Sequence, residues 1–264
     1  MKITLAQIPL AWESPQENLA FIQSQLGTLN TDLLVLPEMF TTGFTMQPEL
    51  HAEPEGAHTL DAMQSWAIQL QAAVTGSVSV ASDGKYYNRL FFVNEKSETA
   101  VYDKRHLFRM GQEHLHYTSG SRLITVEHCG WRIRPLVCYD LRFPVWSRNR
   151  FNTVGKDTYV PEYDLLLFVA NWPAVRSYPW RQLLIARAIE NQCFVVGVNR
   201  VGEDGKGVAH TGNSLIIDPL GRIVFEAPEG ATSLESIQLD RSVLEDCRTK
   251  FKVGFDADAF RLEA

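Results

Sequence analysis

Three short strings each carry a reactive side chain just past an apolar run: Leu33-Leu-Val-Leu-Pro-Glu38, Val101-Tyr-Asp-Lys104 and Leu136-Val-Cys138-Tyr-Asp140. An acid, an amine and a thiol meeting at one sheet edge form a chemical kit. The thiol is a nucleophile, the carboxylate takes its proton, and the ammonium holds developing negative charge. A thiol where a strand turns into a helical segment lies near backbone N–H groups that favour the thiolate and can bind an oxyanion. A lone free cysteine is more often buried and structural, and Cys129, Cys193 and Cys247 are read that way. A carboxylate at the buried end of a strand suits proton transfer near neutral pH.

Other polar groups invite rival readings. His106, His114 and His116 surround Glu113, yet no full ligand set stands at convincing spacing, so no metal is expected. Gly202-Glu-Asp-Gly-Lys-Gly207 lacks both the spacing and the final Ser/Thr of a phosphate loop and reads as a surface turn. Asn171-Trp-Pro173 ends another apolar run, Leu165–Ala170, and so should face the same opening as Glu38 and Cys138.

The positioning elements follow from apolar periodicity. Strand-like runs fall at 2–7, 33–36, 74–80, 89–93, 100–102, 123–126, 132–137, 165–170, 194–198, 214–217, 223–225 and 234–239. A first helix opens at Ser14-Pro-Gln-Glu17 as a capping box with Leu19, Ile22 and Leu26 on one face. A second carries Leu60, Met63, Ala67 and Leu70. A third spans 180–191 with Leu183, Ala186 and Ile189 inward, and a fourth runs over 240–249. Asp218-Pro-Leu-Gly221 marks a hairpin. The polar stretch Asn149–Tyr163 reads as a loop, by default a surface insertion and alternatively a flap over the pocket. The strand content fits either two helix-covered sheets or one wide doubly wound sheet.

The chain has 264 residues, of which 45% are hydrophobic and 21% charged, ample for a large core. Its formal net charge of −6 argues against nucleic acid and anionic membrane as partners. Met1–Leu10 reads as a first strand rather than a secretory signal. The apolar runs are too short to span a bilayer. Four cysteines without a C-x-x-C pair fit a reducing cytoplasm.

The strings L-P-E-M-F-x-x-G, Y-x-K-x-H-L-F and C-Y-D-L-R-F-P resemble the nitrilase (carbon–nitrogen hydrolase) superfamily over nearly the whole chain. The resemblance implies a four-layer α-β-β-α sandwich in one domain over 1–264. It implies catalytic roles for Glu38 as base, Lys104 as oxyanion-binding ammonium and Cys138 as nucleophile, accompanied by Glu113. It places Tyr139, Arg142, Asn171 and Trp172 at the substrate, while Arg187 and Glu190 make structural contacts. Hydrolysis through a thioester with no cofactor follows. Cys-Tyr-Asp-Leu-Arg-Phe looks like the amidase branch, most like bacterial omega-amidases acting on 2-oxoglutaramate and similar short ω-amides. The rivals are another amidase, an N-carbamoyl amino-acid hydrolase, or a non-catalytic binding protein of this fold. The family commonly pairs across a helix face, so a homodimer or higher homo-oligomer is expected.

Overall fold

Two mixed β-sheets lie face to face in the computed structural model, which describes residues 1–155 and 158–262. The first sheet runs in the order Ser233–Gln238, Lys2–Gln7, Leu33–Val35, Ala73–Ser82, Lys85–Val93, Thr99–Asp103, with Glu53–Pro54 pairing onto Ala73–Ser82. The second runs Ile223–Glu226, Leu215–Ile217, Phe194–Asn199, Leu165–Ala170, Trp131–Val137, Val126–His128. The central three strands of each sheet are parallel, so their carboxyl ends emerge on one edge. Thr99–Asp103 is two antiparallel steps from Ala73–Ser82 and therefore ends on that edge too. Sheet direction thus carries Glu38, Lys104, Cys138 and Asn171 toward one place.

Alternation along the strands builds the layers. Ile3, Leu5, Leu33, Val35, Leu90 and Phe92 face Ile133, Val137, Leu165, Leu167 and Val169 in the core between the sheets. The opposite set, Ala6, Leu34, Leu36 and Val74, packs on helices Pro15–Gln25 and Ala57–Leu70 through Ile22, Met63 and Trp66. Helix Ser177–Asn191 covers the second sheet with Trp180, Leu184 and Ala188. Gly197 permits that approach, since a Cβ there would lie 2.6 Å from Leu184 and 2.8 Å from Trp180. Truncating Leu184 to alanine would cost about 2–5 kcal/mol by transfer and cavity terms. The result is the expected α-β-β-α sandwich.

Several local expectations differ. Ser14 does precede the first helix, but its hydroxyl bonds the Glu17 side chain at 3.4 Å instead of capping the backbone. Helix Ser177–Asn191 is rotated from the expected face: Ala186 and Ile189 are exposed, Leu183 is half-buried, and Trp180, Leu184, Ala188 and Asn191 point inward. The strand expected at 123–126 begins only at Val126 and runs to His128. The stretch 149–163 is no plain loop, for Phe151–Gly155 and Thr158–Pro161 pair as an antiparallel hairpin. Tyr159 packs edge-on against Phe151 and Phe255, at 5.2 Å and 5.1 Å, and no described residue of this hairpin lines the cavity described below. Its arrangement fits a surface insertion, not a flap; Lys156 and Asp157 lie outside the described residues. The hairpin at Asp218–Gly221 forms, with Asp218 accepting from the backbone of Leu220 and Arg222.

Candidate active site

Glu38 leaves the strand Leu33–Val35 through Pro37 and is fully buried. Its Oε1 accepts from Lys104 Nζ at 2.8 Å and from Asn88 Nδ2 at 2.8 Å, and its Oε2 accepts from the Asn171 backbone at 2.8 Å. The Asn171 side chain also bonds the Glu38 carbonyl. Lys104, just past Thr99–Asp103, reaches Glu113 Oε1 and Oε2 at 3.0 Å and 2.9 Å. One buried ammonium therefore sits between two buried carboxylates.

Burial works against the Lys104 charge, but Glu113 and then Glu38 outweigh it and hold its pKa above the ordinary lysine value. Glu113 is raised above the usual carboxylate range by burial and by the Glu38 charge, against the pull of Lys104. Glu113 Oε2 also accepts from the Phe108 backbone at 2.6 Å, which pins the loop after Lys104. Buried charged groups persist only when paired and hydrogen-bonded, and here each carboxylate meets the Lys104 ammonium.

Cys138 follows Trp131–Val137 with a left-handed φ of 42° and opens the tight helical turn Cys138–Arg142. A non-glycine residue in that region carries backbone strain, which persists only where the surroundings enforce it. Asp140 does the enforcing: Oδ2 accepts from Val137 N at 3.1 Å and Tyr102 Oη at 2.7 Å. Its Oδ1 meets His106 at both N and Nδ1. His106 therefore braces Asp140. Arg187 donates to the Leu141 carbonyl at 2.7 Å and pairs with Glu190 at 2.9 Å, steadying the same turn. Burial first, then the Glu38 charge, push the Cys138 thiol well above its ordinary pKa, and Lys104 offsets only part of this.

Cys138 and Lys104 face a cavity of about 450 Å³. Tyr139, Arg142, Asn171 and Trp172 all line it, as do Phe44 and Phe108. The Arg142 guanidinium lies over Trp172 at 5.2 Å and, among the described residues, pairs with no carboxylate. Arg176 stands over Phe108 at 5.6 Å. Among the described residues no three His, Cys, Asp or Glu side chains gather as a metal-binding group.

Sequence reasoning missed two contributions. Asp204, Lys206, Val208 and His210 belong to a hairpin, Val201–Glu203 with Ala209–Thr211, that reaches the cavity rim. The run Gly202–Gly207 is indeed a turn, but one that faces the pocket. Asn88 was the other omission; a polar residue on the same strand face as Leu90 and Phe92 was the available signal.

The carbon–nitrogen hydrolase model matches residues 2–249. The chain belongs to the carbon–nitrogen hydrolase family. This carbon–nitrogen hydrolase is 45% identical to omega-amidase YafV of Escherichia coli, over 99% of this chain and 98% of that protein. It is 36% identical to 2-oxoglutaramate amidase of Bacillus subtilis, over 85% of each. Among solved structures, a CN-hydrolase superfamily protein from Xanthomonas campestris with an arsenic adduct in the active site superposes with a TM-score of 0.95. The two chains are 41% identical, with 100% of this one and 99% of that one covered.

Proposed function

We propose that this hydrolase is an omega-amidase, releasing ammonia from the terminal amide of short dicarboxylic acid monoamides such as 2-oxoglutaramate. One observation carries the reading: Cys138 and the paired Lys104 lie in a cavity that also holds Arg142, a guanidinium without an acid partner among the described residues. A substrate with an amide at one end and a carboxylate at the other matches both. The likeness to the two amidases supports the same class.

In the reaction, Glu38 takes the Cys138 proton as the sulfur attacks the carbonyl carbon. A thiol held above its ordinary pKa rests protonated, so a base must act at the moment of attack. The carbonyl π pair moves onto oxygen, which the Lys104 ammonium and the Tyr139 backbone N–H stabilise. As the C–N bond breaks, Glu38 returns its proton to the leaving ammonia and a thioester remains. Glu38 then deprotonates a water that cleaves the thioester, and sulfur recovers the proton. Glu113 keeps Lys104 in place through both halves. No step calls for a cofactor.

Arg142→Met tests the substrate class. A bidentate Arg–carboxylate contact made before and during the reaction acts mainly on KM. The ratio of kcat/KM for 2-oxoglutaramate or succinamate over a neutral short amide should fall roughly tenfold in the variant. An unmoved ratio removes Arg142 as anchor, and a parent that prefers the neutral amide removes the omega-amidase reading. Carbon dioxide released alongside ammonia from an N-carbamoyl amino acid would point to the carbamoyl hydrolase instead.

The expected homo-oligomer belongs to this reading. Helix Ser177–Asn191 and the turn before it leave Val175, Tyr178 and Ile189 exposed, a support for pairing across a helix face. Light scattering reads the mass. A reducing compartment is supported by the four free cysteines, and no helix among the described residues is long and apolar enough to cross a membrane.

A further inference from the structure

Asn88 lies at the centre of the ion cluster without lining the cavity. Its Nδ2 donates to Glu38 Oε1 at 2.8 Å and to Glu113 Oε1 at 3.1 Å. Its carbonyl accepts from the Lys104 backbone at 2.9 Å. One residue thus touches all three charged partners. The side-chain orientation is forced, because turning the amide over would set its oxygen against two carboxylate oxygens.

The same orientation has a cost. Asn88 Oδ1 is buried with no hydrogen-bond partner among the described residues. A buried amide kept only for stability would be expected to satisfy both ends, and an unpaired acceptor calls for another reason. The reason lies in the lone pairs of Glu38. A carboxylate oxygen accepts along two directions, and Lys104 and Asn88 take both on Oε1. Among the described residues Oε2 accepts from no N–H but that of Asn171, so the open lone pair of the base is there, on the carboxylate that interacts with the Cys138 thiol.

We infer that Asn88 is a positioning residue: by filling Oε1 it reserves Glu38 Oε2 for the thiol proton, and by bridging to Glu113 it keeps both carboxylates in register around Lys104. The transfer is balanced within the pair. The S–H bond of Cys138 breaks, an O–H bond forms at Oε2, and the sulfur electron pair goes to the carbonyl carbon. The inference rests on the proposed mechanism but not on the identity of the amide.

Asn88→Asp keeps the shape and removes the donor, and Asn88→Ala removes the whole amide. Each is assayed for ammonia release per active site, with sites counted by iodoacetamide incorporation at Cys138. Expected is a fall in kcat of about 100-fold, the scale of a misplaced general base, with KM moving less than about threefold. Alkylation of Cys138 should slow roughly tenfold at fixed pH, since the thiol no longer has its proton acceptor in place. A purely structural role would lower the melting temperature and the count of active sites while leaving kcat per site and the alkylation rate near parent values. That pattern, in whichever variant folds, overturns the inference. Alkylation displaces iodide and needs no amide hydrolysis, so a wrong substrate class leaves this arm of the test intact.

Discussion

Replacing Cys138 by alanine deletes one sulfur from the cavity floor and leaves the Asp140 and Arg187 braces of its turn untouched. Ammonia release should fall by roughly 10³-fold or more, with an unchanged circular dichroism spectrum. Cys193 is wholly buried but lies against helix Ser177–Asn191, away from the cavity, so Cys193→Ala should keep turnover and lose about 1 kcal/mol of stability. Lys104→Arg keeps the charge but brings a wider, planar head into a gap sized for ammonium between Glu38 and Glu113. A loss of about 100-fold in kcat/KM is expected, and a value within a few-fold of the parent would remove the oxyanion role. Glu38, Lys104 and Cys138 were readable in the sequence because each follows an apolar run inside a string that resembles a carbon–nitrogen hydrolase motif; the apolar run alone says little. Asn88 was not, because its meaning depends on partners 50 and 25 residues away that only the fold brings to its amide.

The hairpin that spans Val201–Glu203 and Ala209–Thr211 shows the same limit for elements. Its polar turn looks like solvent-facing surface from composition, and one side of it is. Its placement depends on Trp12, against which Gly205 packs so closely that a Cβ would lie 2.4 Å from the ring. Trp12 also lies near Gly43, in the loop after Glu38, so a single indole sets the distance from hairpin to base. Arg200 fixes the root of the hairpin by donating to the carbonyls of Leu10, Val201 and Glu203. Gly205→Ala should push the turn, and Lys206 with it, off the rim. KM for a charged ω-amide should then rise about threefold to tenfold while kcat changes little. Equal KM values would show that the hairpin does not touch bound substrate. Most strands of both sheets were legible as short apolar, β-branched runs bounded by Gly, Pro, Asn or Asp, although Glu53–Pro54 was missed and Val126–His128 was displaced; the inward face of the rotated helix was not legible. Positions 183, 186 and 189 and positions 180, 184, 188 and 191 are both acceptable helical stripes. Packing against Gly197 chooses the second.

At the scale of the molecule, Asp164 ties the C-terminal helix Arg241–Lys250 to the second sheet. Its buried carboxylate meets Arg132 at 2.7 Å, Arg248 at 2.5 Å and Arg241 at 3.7 Å. Burial alone would raise its pKa, but the hydrogen bonds and charges of Arg132 and Arg248 win and hold it below the ordinary aspartate value. A carboxylate depressed on folding contributes stability that is fully present above its unfolded pKa. That stability is lost as pH falls through the folded value. Asp164→Asn should therefore lower the melting temperature at pH 7 by about 5–10 °C, from about 2–3 kcal/mol lost. The figure is moderated because Arg132 and Arg241 reach solvent. The gap between parent and variant should close as pH falls below the ordinary carboxylate range. A gap that stays constant down to acid pH would show that the carboxylate charge is not what ties the helix down.

The resting sulfur of Cys138 has a consequence for oxidants. Peroxide attacks thiolates, and sulfenic acid formation follows thiolate character and exposure. Cys138 is 8% exposed, and both burial and the Glu38 charge keep its proton on. Between turnovers, then, the molecule offers peroxide a neutral, recessed thiol, while a carbonyl substrate that fits the cavity meets a base already in position. Brief peroxide exposure should spare most of the activity at neutral pH, and inactivation should accelerate at alkaline pH. The fraction of activity surviving a timed peroxide pulse measures this, and rapid loss at neutral pH would show that the sulfur rests ionised. A nucleophile that keeps its proton between turnovers is slow to rust.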